Sequence, residues 1–193
     1  MNEAVMWPDN PENPKFSTTY NTMLFQVVTH FTNIEYLLRS TYRRKTGLDK
    51  AKFDILFGIP ALGSMLSRMI KLFKHEPHPK HQDAILGALS QLQSISRLRN
   101  WMVHAGGHGL DSGFDFLVRL NPNERSSKTG KDYHIFPITT FMDVHKDLNM
   151  ITAIIAAVDD DSFPLSEQYA LENYGEPTTT YNWKFKIPGI EAA

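Results

Sequence analysis

Cysteine is absent from the 193 residues, which excludes disulfides, thiolate metal sites and a cysteine nucleophile. Charge of one sign is missing too. The 20 Lys and Arg against 21 Asp and Glu leave a net charge of −1, so no global basic field advertises nucleic-acid binding and any such site must be local. No apolar run approaches the roughly 18 residues needed to span a bilayer. The opening MNEAVMWPDNPENPKF lacks a basic stretch followed by an apolar one and does not read as a signal peptide. No membrane association and a cytoplasmic setting are therefore expected. Internal repeats, low-complexity tracts, Ser-His-Asp spacing and a nucleophile elbow are also absent. What is present, 41% hydrophobic and 21% charged residues, reads as one folded globular domain with a sizeable core.

Residues 1–19, with Pro8, Pro11 and Pro14 among polar residues, are expected to form an extended N-terminal arm. From about Tyr20 to Arg44, Leu24, Val27, Val28, Phe31, Ile34, Leu38 and Tyr42 recur at helical spacing, and Gly47 suits a C-terminal cap. The region from Asp49 to Lys74 is broken at Gly58 and Pro60, so two short helices or one kinked helix are expected. HEPHPKH (75–81) reads as a loop, and a third helical stretch runs from about Lys80 to Ala105, stopping at Gly106-Gly107. The period then becomes two: FDFLVRL and YHIFPIT flank a polar loop and predict a β-hairpin insertion at about 114–137. Phe141, Val144, Leu148, Ile151 and Ile155 predict a helix over about Thr140 to Val158, closed by Asp159 to Asp161. The tail, 161–193, is expected to pack on the rest through a short helix at Ser166 to Tyr174 and an edge strand, YNWKFKI (181–187). The expected fold is mainly α, an antiparallel bundle of four to five helices over 20–160 with a small β-hairpin insertion.

The stretch SISRLRNWMVHAGGHG (94–109) poses a physical problem. With each residue advancing about 100° and Leu92 at zero, Ile85 and Val103 lie at about 20° and Leu89 at about 60°. Ile95, Met102 and Leu98 complete the apolar arc on its other side. Arg99 falls at about 340°, in the middle of that arc, where an unpaired guanidinium is costly. Asn100 sits at its edge, Arg97 and His104 belong to a neighbouring polar strip, and Trp101 points away from the arc. Glu35 on the first helix offers a carboxylate, so an Arg99–Glu35 ion pair is expected. Trp101 is expected either to be covered by the hairpin or the tail, or to mark an interface along a homodimer seam.

Asn100 and His104 are i, i+4 neighbours. An imidazole moves protons near neutral pH, a guanidinium holds a phosphate, and an amide orients either. Together they suffice for metal-free cleavage of RNA, in which the 2′-hydroxyl attacks the adjacent phosphate.

Arg99-Asn100-x-x-x-His104, near the end of a helix in an all-helical domain of this size, resembles the hallmark motif of the HEPN superfamily. The resemblance implies a HEPN-like helical bundle and metal-independent endoribonuclease activity, with the motifs of two protomers lining one cleft. It also implies a place in toxin–antitoxin or other defence systems, with single-stranded RNA as substrate, an antitoxin protein as a possible partner and no cofactor. Arg99 would contact the scissile phosphate, His104 would act as general acid/base, Asn100 would support their geometry, and Glu35 would play a supporting part. The hairpin and the tail depart from a minimal HEPN domain, and not every member cleaves RNA. The alternative is a non-catalytic helical module that binds protein through the Trp101 face, or binds RNA without chemistry.

Two other clusters carry weaker readings. Arg39, Arg43, Arg44 and Lys45 form the densest basic patch, which suits the negative end of the first helix. With Lys71, Lys74 and Arg97 they could also provide an RNA-phosphate track if the fold gathers them. His75, His78 and His81 lie three residues apart, but Pro77 and Pro79 break any common face, so no metal site is expected. GGHG (106–109) follows a helix and lacks the Lys-Ser/Thr of a phosphate loop; His108 reads as a turn residue.

Overall fold

The structure, a computed structural model, describes residues 14–58, 61–78, 80–105, 107–109, 115–120, 133–160 and 162–187. It is mainly helical, with a small antiparallel sheet. The helices are α1 (Pro14–Lys45), α2 (Lys50–Phe57), α3 (Leu62–His75), α4 (Gln82–Asn100), α5 (Thr140–Asp160) and α6 (Phe163–Tyr174). The expected arm is shorter than its prolines suggest. Pro14 stands at the start of α1, where its missing N–H costs nothing, and 14–19 are helical; 1–13 lie outside the described residues. Gly47 ends α1 at φ 67°, its N–H bonded to the Arg44 carbonyl. Asp49 caps α2 by accepting from the Lys52 N–H at 2.8 Å. The break between α2 and α3 falls at the expected place.

Three strands make the sheet. Within the expected hairpin, β2 (Asp115–Arg119) pairs with β3 (Tyr133–Pro137), Phe116 opposite Phe136. The far edge of β2 takes β1 (Gly107–Gly109), so His108 lies in a strand where a turn was expected. Phe116 anchors the sheet to the helices through Tyr20 on α1 and Phe141 on α5, at ring separations of 5.7 and 4.7 Å.

Helix α5 sits against α1, α4 and α6, and α3 packs on α1 and α4. One apolar core joins Phe31, Ile34 and Leu38 of α1 with Leu89, Leu92 and Ile95 of α4 and Val144, Leu148 and Ile151 of α5. The end of α3 is joined to the start of α4 by side chains. The Gln82 side chain receives the His78 N–H and donates to the Phe73 carbonyl, tying α3 to α4. The His81 ring stacks on Phe163 of α6 at 3.9 Å. Among the described residues no cluster of three metal-ligating side chains occurs.

The tail departs from the expected edge strand. Its alternation is real, with Tyr181, Phe185 and Ile187 buried and Asn182 and Lys186 exposed, but among the described residues no strand accepts its N–H groups. A side chain does so. Asp147 of α5, 0% exposed, accepts from the Lys184 N–H at 3.0 Å, the Phe185 N–H at 2.9 Å, the Gln91 amide at 2.7 Å and the Tyr181 hydroxyl at 3.1 Å.

A histidine pair links α1 to α5: His30 Nε2 is 3.3 Å from Thr152 Oγ1, and its ring is 5.5 Å from that of His145. Burial first, then the nearby His145, lower the His30 pKa. The unfolded chain therefore binds this proton more readily, and stability is lost as pH falls below about 6.5 toward the lower folded value. The melting temperature is expected to drop between about pH 7.5 and 5.5, and His30→Gln to remove part of that drop. An unchanged pH profile in the variant would assign the drop elsewhere.

Candidate functional site at the end of α4

Helix α4 does not end as a plain α-helix. At Trp101 it widens into a π turn, Trp101–Ala105, and the Trp101 N–H points to the carbonyls of both Arg97 and Leu98. The sequence motif straddles this change: Arg99 and Asn100 close the α-helical part, and His104 lies in the π turn. Such wide turns occur often at functional sites because they aim side chains where a regular helix cannot.

The turn resets the helical phase. Val103, placed by the α period inside the apolar arc, is 42% exposed, and His104 is exposed beside it. Trp101 meets the first of the two outcomes expected of it. It is 2% exposed, with the His134 ring of β3 at 5.4 Å, so the hairpin covers it. The expected interface at Trp101 is thereby corrected: the indole belongs to the interior of one chain and offers no face to a partner.

Arg99 lies half-buried, as its place in the apolar arc requires, but its partner differs from the one expected. Its Nη1 donates to Asn100 Oδ1 at 3.0 Å. Glu35 is exposed and makes no ion pair with Arg99. The reason lies in the phase of α1. With Phe31 at zero, its buried residues Tyr20, Val27, Ile34 and Leu38 centre near about 320°, which leaves Glu35, at about 40°, on the wet edge of the stripe. The adjacent amide satisfies one guanidinium donor locally. A guanidinium has five, so most of this one's capacity is uncommitted among the described residues.

Arg97 is exposed on α4. Arg43, Arg44 and Lys45 occupy the last turn of α1, where they complement the helix dipole. Arg39 is bound to Asp54 of α2, which also receives Lys50 and whose pKa these two partners lower. The backbone of His108 is in β1.

The arrangement can bind an anion at Arg99 and exchange protons at His104. Sequence reasoning missed two features. The buried carboxylate of Asp147 sits in a stretch whose periodicity marks only a helix. The π turn has no signature in residue types. Among the described residues no single helix is long and apolar enough to cross a membrane. No protein-family model, curated protein or solved structure matches this chain.

Proposed function

We propose that this chain is a HEPN-like, metal-independent endoribonuclease, with Arg99 and His104 as its catalytic residues and Asn100 as a positioning residue. The observation that supports it most is the guanidinium of Arg99, half-buried and tied to Asn100, with an exposed imidazole at His104 on the same helix end. Burial fixes the cation while leaving donors for a phosphate; exposure leaves the imidazole open to substrate. The Arg-Asn-x-x-x-His spacing and the helical character of the fold agree with this reading, which takes the helices as a HEPN-type antiparallel bundle.

The reaction needs no metal and no water in its first step. The ribose 2′-oxygen bonds to the adjacent phosphorus and the bond to the 5′-oxygen breaks, giving a 2′,3′-cyclic phosphate and a 5′-hydroxyl. His104 takes the 2′-hydroxyl proton or protonates the leaving oxygen; two copies of the motif in a homodimer supply both forms at once. Arg99 stabilises the charge that grows on the phosphate. Such an enzyme acts on single-stranded RNA in the cytoplasm, in a toxin or defence role, and an antitoxin protein is the natural partner. Incubating single-stranded RNA with the wild type, Arg99→Ala and His104→Ala in EDTA tests the proposal. Cyclic-phosphate products from the wild type alone are expected. An inert wild type on a broad RNA panel, or variants that cut as fast, would end it.

A further inference from the structure

A groove of about 620 Å³ runs between α3, α4 and the tail segment 183–187. Its volume is that of a typical ligand site. Ile70, Leu86 and Trp183 supply apolar wall, and Lys74, Arg97 and Lys186 supply charge. Among the described residues no Asp or Glu lines it. The three cations come from three different elements, all are exposed, and none is in an ion pair among the described residues. Like charges gathered without a counter-charge repel one another, so an anion placed among them is attracted by all three. The Trp183 indole is half-exposed and packs against α4 at Gly87, where a Cβ would meet its Nε1 at 3.4 Å, an ordinary van der Waals contact. The carboxylate clip at Asp147 holds the backbone of residues 184 and 185, and so sets both the indole and Lys186 in place.

We propose that this groove binds a single-stranded RNA segment, its phosphates on Lys74, Arg97 and Lys186 and a base against Trp183. Cations along a groove with an aromatic wall are the elements by which single strands are held without sequence readout. The choice of occupant rests on the ribonuclease reading, since α4 carries Arg97 on the groove and Asn100 one turn further toward the motif. The groove makes the tail part of substrate binding: a strand seated there is handed along α4 toward His104.

The test uses a short 2′-O-methyl oligouridylate, which keeps base and phosphate but lacks the attacking hydroxyl, so that binding is read without cleavage. The wild type should bind it with a marked salt dependence. Lys74→Gln/Lys186→Gln should weaken binding about tenfold at about 100 mM salt and lower the slope of log Kd against log salt by about 1.4. The control Lys50→Gln/Lys52→Gln, of equal charge change on α2, should leave both unchanged. All four lysines are exposed, so equal melting temperatures confirm intact folding. Equal binding by the groove variant and the wild type, or no binding by the wild type, would overturn the proposal. So would uridine 5′-monophosphate competing as tightly as the oligomer binds, because the groove would then be a mononucleotide pocket. Failure here with cleavage still dependent on His104 leaves the nuclease standing. Groove-dependent binding without cleavage leaves the groove standing and removes the nuclease.

Discussion

His104→Ala is expected to lower RNA cleavage by about 10²–10⁴-fold, the usual contribution of a positioned general acid or base. Arg99→Ala is expected to cost about 10²–10³-fold, as removal of one donor aimed at developing charge does elsewhere. The two variants should differ in how they fail. His104 is exposed and has no hydrogen-bond partner among the described residues, so its loss should leave the melting temperature unchanged. Arg99 is half-buried, so Arg99→Lys separates loss of charge from loss of side-chain bulk. Lysine keeps the cation and the stem but has no planar fork, and at a site that grips a phosphate bidentately it rescues little. Asn100→Ala should cost less than Arg99→Ala, because it frees the guanidinium rather than removing it. Product analysis decides the chemistry: cyclic phosphate ends are expected, and 3′-hydroxyl ends would refute attack by the 2′-oxygen whatever the rates.

Replacing Asp147 by alanine should destabilise the fold by about 3–5 kcal/mol, because four donors lose their common acceptor and two of them are backbone N–H groups with no strand to turn to among the described residues. For a chain of this size that is a fall of about 10 °C in melting temperature. Tail segment 181–187 should then be cut by protease ahead of the rest. Asp147→Asn should cost less but not nothing, since its amide group turns donors toward donors. Burial raises the Asp147 pKa and the four hydrogen bonds only partly offset it. The folded chain therefore takes up this proton before the unfolded one does. The resulting stabilisation is greatest below the ordinary aspartate value and is lost as pH rises through the raised one. Acid should thus not release the tail through this group. If alanine at 147 leaves stability and tail protection unchanged, the carboxylate is not the clip described above.

The two predictions differ in how far the residues alone lead to them. The helix end at 99–104 is legible in the sequence because the anomaly is local: an arginine in an apolar arc needs a partner, and the spacing to His104 lies within one element. The partner was misjudged. Glu35 lies close to the stripe of α1, and a shift of some tens of degrees in which face turns inward leaves it wet. Val103 left its expected environment for a related reason. One widened turn changes the angle of every residue after it, and no residue type in WMVHA encodes that turn.

By itself the sequence determined the central helices and the hairpin, though not the start of α1 or the course of the tail, since periods of 3.6 and 2 and the breaks at Gly47, Gly58 and Pro60 act over a few residues. It also placed Arg99 in the apolar arc of its helix, where the side chain is half-buried. Tertiary packing alone decided that Asp147 substitutes for a neighbouring strand, that the hairpin closes over Trp101, and that Lys74, Arg97 and Lys186 meet around one groove. These depend on residues brought together from distant parts of the chain, whose side chains carry no mark of each other until the core between them has formed.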